Sequence, residues 1–168
     1  MKNEKNSTKL SLIRSLLATT AAVHTLPLRI SLAVVMWPHG AQKLFGWFGG
    51  YGLSGTMAFF TESLGIPAPI ALGVILVEFF APLMLLLGLG TRVASAALAA
   101  VMLGAMVMVQ WPHGFFMNWS GTQAGEGIQF TLLFIGAAIA LVGSGGGLYS
   151  LDRYVVDRLS PSFGKGKG

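Results

Sequence analysis

Glu78 is the residue with the most chemistry to answer for. It stands midway along the run Ile70–Leu89, where it is the only charge. An ionised carboxylate at the centre of a bilayer costs on the order of 2.5–3.5 kcal/mol, so the group must be protonated or paired with a cation or polar donor. Four residues on, Pro82 lacks the N–H that would bond the Glu78 carbonyl, which places a second acceptor at the same depth. The candidate partners are His39, Lys43 and Arg29. His39, Gln42 and Lys43 stand three and four residues apart, a spacing that puts them on one face of a helix, and together they are expected to line a polar cavity. Pro38 leaves the Val34 carbonyl without its normal donor and predicts a kink there. A carboxylate among such groups can relay protons or bond the carbonyl of a quinone or another lipophilic head group. It can also simply hold two helices together as an ion pair.

A second set of polar groups falls at the same level. The tetrapeptide Trp-Pro-His-Gly occurs twice, at 37–40 and at 111–114, each time closing an apolar segment that runs in the same direction. If the two halves are parallel repeats about an axis normal to the membrane, His39 and His113 face each other near the rim. The simpler reading, preferred for His113, is that each histidine caps its helix end or sits in the interface, and their place at the rim disfavours axial haem ligation. Gln110, Glu126 and Gln129 add polarity nearby, with Glu126 also suited to a helix N-terminus. The expected site thus has Glu78 and His39 as acid–base groups and Gln42, Lys43, Arg29, His113 and Glu126 as ligand-binding groups. No metal site is expected, and the absence of cysteine excludes thiol–disulfide chemistry and Cys-ligated clusters within this chain.

The elements that must carry these residues are membrane helices. Of 168 residues 54% are hydrophobic and 10% are charged, against about 25% charged in a soluble domain. Four apolar stretches approach the ~20 residues needed to cross a bilayer, and unpaired backbone is not tolerated in lipid, so they must be helical. The expected organisation is an N-terminal segment 1–25, a four-helix membrane domain 26–147 and a C-terminal segment 148–168, with spans at about 26–45, 66–90, 91–111 and 126–145. The fold class is therefore an all-α integral membrane protein, a four-transmembrane-helix bundle with short interfacial helices. Leu10, Ile13 and Leu17 fall on one helical face with Lys9 and Arg14 off it, which predicts an interfacial helix. The rival is a cleaved signal peptide, which Arg14 argues against by breaking the apolar stretch. Gly145–Gly147 ends the fourth span, and Leu148, Leu151, Val155 and Leu159 then recur at helical spacing. The Gly-Lys-Gly-Lys-Gly tail is expected to be disordered.

Ten of the eleven Lys and Arg residues lie toward one end of these spans, Lys43 being the exception. The positive-inside rule then makes both termini cytoplasmic and turns the two longer loops outward. The basic charge is an orientation signal and an attraction to anionic lipid rather than a nucleic-acid footprint. Trp47, Phe48, Tyr51, Phe59 and Phe60 crowd the first outward loop, and Trp111, Phe115, Phe116 and Trp119 the second. They read as an interfacial aromatic belt, and Thr56–Leu64 as a short helix that could lie over an outward pocket. Small residues at Ala96, Ala100 and Gly104, and at Gly136, Ala140 and Ser144, are expected to be ridges for close helix packing.

In this order the residues resemble the DoxX family of small bacterial membrane proteins. The resemblance runs from about Leu28 to Leu159. It rests on Arg29, on His39-Gly40-Ala41-Gln42-Lys43-Leu44-Phe45-Gly46, on Glu78, on Gly88-Leu89-Gly90-Thr91-Arg92, and on Gly145–Gly147 followed by Ser150-Leu151-Asp152. It implies a four-helix bundle in the bacterial inner (plasma) membrane. Some relatives are subunits of a thiosulfate:quinone oxidoreductase, and others associate with oxidative-stress and sulfur-handling proteins. The reading that follows is a subunit of a quinone-linked membrane oxidoreductase system, with quinone as a possible ligand and a partner redox protein or a second copy as a partner. The alternatives are a non-enzymatic anchor or assembly subunit, or a small proton-coupled transporter using Glu78.

Overall fold

The computed structural model describes residues 11–12 and 15–159. Leu10, Ile13, Lys9 and Arg14 of the expected interfacial helix lie outside the described residues, as does the glycine–lysine tail. Every regular element among the described residues is helical. Helix α1 runs Thr25–Phe45 and ends at Gly46, whose φ of 76° is the left-handed cap that favours glycine. A 3₁₀ turn Trp47–Gly49 leads into α2, Gly52–Ala58, which widens into a π turn Phe59–Ser63. Helix α3, Ala68–Leu87, starts behind Pro67 and stops at the left-handed Gly88. After a glycine turn, α4 runs Thr91–Ala105, widens into a π turn Met106–Gln110 and closes with a 3₁₀ turn Trp111–His113. Helix α5 is Gln129–Ser144 and α6 is Leu151–Leu159.

Ala68–Leu87, at 20 residues, and the continuous Thr91–His113, at 23, are long and apolar enough to cross a membrane. Helix α5 is apolar but shorter at 16 residues. Helix α1 is as long as a span but carries Arg29, His39 and Lys43. Pro38 and Pro82 both lie inside unbroken helices.

Helix α1 packs on α3, and α4 on α5, with α3 and α4 joining the two pairs. Leu32 and Met36 of α1 meet Leu85 of α3, Leu98 and Met102 of α4, and Phe134 and Leu141 of α5 in one buried cluster. A smaller cluster of Phe60, Ala71 and Ile75 lies under the π turn that follows α2. The outer faces of α3, α4 and α5 are the reverse of a water-soluble surface: Leu72, Leu76, Phe80, Leu103, Val107, Leu132, Leu133 and Ile139 all stand exposed.

The two ends of this bundle are built differently. At one, the Gly88–Gly90 turn holds α3 and α4 together, and α6 folds back over it. At the other, α2 and its π turn lie across α1, α3 and α4, and space remains beneath them.

Candidate functional site

The buried stripe of α1 passes through Leu32, Ala33, Met36, Gly40 and Ala41. Gly40 sits where α1 crosses α3. A Cβ there would collide with the Glu78 carbonyl and the Phe79 Cα, so the two backbones touch only because position 40 has no side chain. The carbonyl involved is the one that Pro82 leaves without its helical donor. One turn beyond Gly40, Lys43 continues the same stripe, and its Nζ pairs with Glu78 Oε2. Glu78 is 5% exposed. The expected pairing partner of Glu78 is therefore Lys43.

This ion pair stands at a cavity of about 500 Å³ between α1, α3, α4 and the π turn after α2. Phe59, Phe60 and Leu64 roof it, Ile70 and Val74 of α3 form one wall, and Ala100, Val101, Gly104, Ala105, Met108 and Val109 of α4 form the other. Its polar lining is Lys43, Glu78 and Gln110. A second cavity of about 260 Å³ adjoins it, with Gln42, Gly49, Gly50, Tyr51 and Thr56 in its walls, and shares Lys43, Phe59 and Phe60 with the first. The two π turns border the large cavity. Met108, Val109 and Gln110 are successive residues that an α-helix would spread over about 200° of its circumference, yet all three line it. Such widened turns recur where a helix borders a site.

The remaining expected residues are placed as follows. His39 lies within electrostatic reach of Lys43 and Glu78, but it faces outward and lines neither cavity. Gln42 donates from Nε2 to the Phe48 carbonyl at 3.2 Å and serves the smaller cavity. The shared face of His39, Gln42 and Lys43 thus divides, because the crossing at Gly40 selects Lys43 as the inward position.

Arg29 is at the opposite end of the bundle. Fourteen residues of helix separate it from Lys43, about 21 Å, so it cannot serve Glu78 or the cavity. It is 1% exposed, donates from Nη2 to the Tyr149 carbonyl at 2.7 Å, rests Nη1 against Gly88 and faces the charge of Asp152. His113 packs against Gly125, and Glu126 Oε2 accepts from the Asn118 N–H at 2.8 Å. Both shape the loop between α4 and α5, and neither lines either of these two cavities.

Two features take places other than those expected from the sequence. The small residues Ala100 and Gly104 do not seat another helix; they line the cavity, and a Cβ on Gly104 would meet nothing within 4 Å. Gln110, expected only to add polarity at this level, lines the large cavity. Outside both cavities, Trp37, Phe45, Trp47 and Phe79 pack ring to ring at centroid distances of 5.1–6.2 Å.

The chain that carries this helical arrangement matches the DoxX family model over residues 24–111, and it belongs to that family of membrane proteins. It is also similar to a protein of Bacillus subtilis (strain 168) named "Putative oxidoreductase CatD", at 26% identity over 133 residues, 79% of this chain and 87% of that protein. No solved structure matches.

Proposed function

We propose that this chain is the membrane-embedded subunit of a quinone-linked redox system and that the cavity beside Lys43 and Glu78 receives a lipophilic head group. The observation that carries the reading is one ion pair set into the wall of an otherwise apolar cavity of about 500 Å³, a size within the ~300–1,000 Å³ range of small-ligand pockets. The apolar walls suit a ring. Lys43 keeps N–H donors beyond the one it gives Glu78 and would bond a ring carbonyl. Glu78 would hold or pass a proton at its carboxylate. A bound quinone would supply the capacity for two electrons and two protons, with the electrons coming from a partner redox protein.

The reading places the chain in the bacterial inner membrane with four spans, both termini cytoplasmic and the Lys43 end outward. The charge bias supports it, as do the exposed apolar faces of α3, α4 and α5. Reporter fusions near Gly50 should then read outside and those near Arg92 inside.

The functional test is Glu78→Gln, which keeps size and hydrogen-bonding capacity but cannot exchange a proton. The variant should insert and assemble as the parent does, yet lose quinone-dependent turnover in the intact complex. Lipid extraction of the purified parent should yield stoichiometric quinone. Full turnover by a correctly assembled Glu78→Gln complex would make Glu78 structural and the chain an anchor for its partner.

A further inference from the structure

Gln110 faces the same cavity as Lys43 but from α4, and its side chain is not free to turn. Thr131 of α5, fully buried, donates its hydroxyl to Gln110 Oε1 at 2.5 Å. With the oxygen held by Thr131, the amide nitrogen carries the remaining capacity of this side chain, two N–H donors. Gln110 and the Lys43–Glu78 pair are the polar lining of a cavity whose other walls are apolar. The cavity therefore has two donor poles on different helices, with carbon between them.

We infer that Gln110 is the second recognition group of this cavity and that its ligand is a flat, apolar ring with hydrogen-bond acceptors at two opposed positions, one for Lys43 and one for Gln110. This deepens the proposed function and rests on it. A ring with a single acceptor satisfies one pole and leaves the other desolvated without a partner, which weakens binding by about tenfold to a hundredfold. Thr131 is a positioning residue: it touches no ligand but fixes which end of the Gln110 amide is presented. Gly104 and Ala100 contribute by being small, so that the ring has room beside α4.

The test measures binding by equilibrium dialysis of the full chain in lipid nanodiscs against protein-free nanodiscs. The probes are 2-methyl-1,4-naphthoquinone, with two opposed carbonyls, and 1-tetralone, a similar bicycle with one. The parent should bind the naphthoquinone at least about tenfold more tightly than the tetralone. Gln110→Leu should remove that preference while leaving tetralone affinity within about twofold, since the Lys43 pole is untouched. Gln110→Met, close in size, carries no N–H donor and should also remove it, which covers the case in which the leucine variant does not fold. Thr131→Val should reduce the preference and Thr131→Ser should keep it. A preference that survives both Gln110 variants, or equal binding of the two probes by the parent, overturns the role of Gln110 and leaves the cavity reading standing. Binding of neither probe by the parent overturns the cavity reading itself.

Discussion

The two ends of the bundle each bury charge, and they do so by opposite means. At the Gly88 end the charge is sealed in backbone. Arg29 lies between the Tyr149 carbonyl and Gly88, Asp152 accepts from the N–H groups of Gly90 and Thr91 at 2.6 and 2.9 Å, and Arg92 donates to the carbonyls of Ala18 and Val142 at 2.8 and 2.9 Å. Gly88, at φ 65°, has the guanidinium where a Cβ would go. At the Lys43 end the ion pair borders about 500 Å³ of space, and its carboxylate is bonded by one flexible side chain. Charge held by fixed backbone groups cannot move without unfolding something, although Arg29 bonds them through Nη2 alone. Charge beside a cavity can exchange partners, which is what proton transfer and ligand binding require.

That contrast is exposed to measurement. Asp152→Ala should have the largest effect on stability, because it strips two N–H groups of a charged acceptor and leaves Arg29 without its counter-charge. A loss of at least about 3 kcal/mol is expected, read as thermal unfolding in detergent, with Arg92-side contacts intact. A loss below about 1 kcal/mol would erase the distinction between the two ends.

At the Lys43 end the expected effect is smaller and of another kind. Lys43→Met should destabilise by about 2 kcal/mol, less than a sealed pair would, because the cavity lets the stranded carboxylate take up a proton or water. Adding Glu78→Leu should recover most of that loss, giving a clear interaction term in the double-mutant cycle. Strict additivity would mean that the pair contributes no coupling.

Smallest of all should be Gly104→Ala. Nothing lies within 4 Å of the added methyl, and alanine is the better helix former by up to about 1 kcal/mol. Stability should rise slightly while retention of the extracted lipophilic ligand falls, since the methyl enters the cavity. Unchanged retention would place the ligand away from α4.

The sequence made some of this legible and withheld the rest for definite reasons. Glu78 is readable because an acid in apolar surroundings must find a partner or be neutralised, with Lys43 one of three candidate partners. The helices were readable from the apolar runs. The splitting of His39 from Lys43 was not, because it depends on where α1 touches α3, and the spacing of three and four residues gives a face without saying which neighbour it meets. Arg29 lies at the other end of the bundle, and its fourteen-residue separation from Lys43 on one helix, about 21 Å, is the signal for that. Ala100 and Gly104 fit a packing ridge as well as a cavity wall. Small residues permit close approach but do not require it. Asp152 comes within electrostatic reach of Arg29 across 123 positions of chain, a proximity that no local pattern encodes.

The carboxylate of Asp152 also sets an order of events. Helix α4 begins at Gly90 and Thr91, but the acceptor for their N–H groups comes from α6, more than sixty residues later in synthesis. Until that segment has emerged and folded back, the start of α4 lacks its acceptor and Arg29 lacks its counter-charge. Nothing in the Lys43–Glu78 pair waits in this way, since both members are made by residue 78. The cavity end can therefore take shape while the chain is still being threaded, and the Gly88 end acts as the latch that closes last.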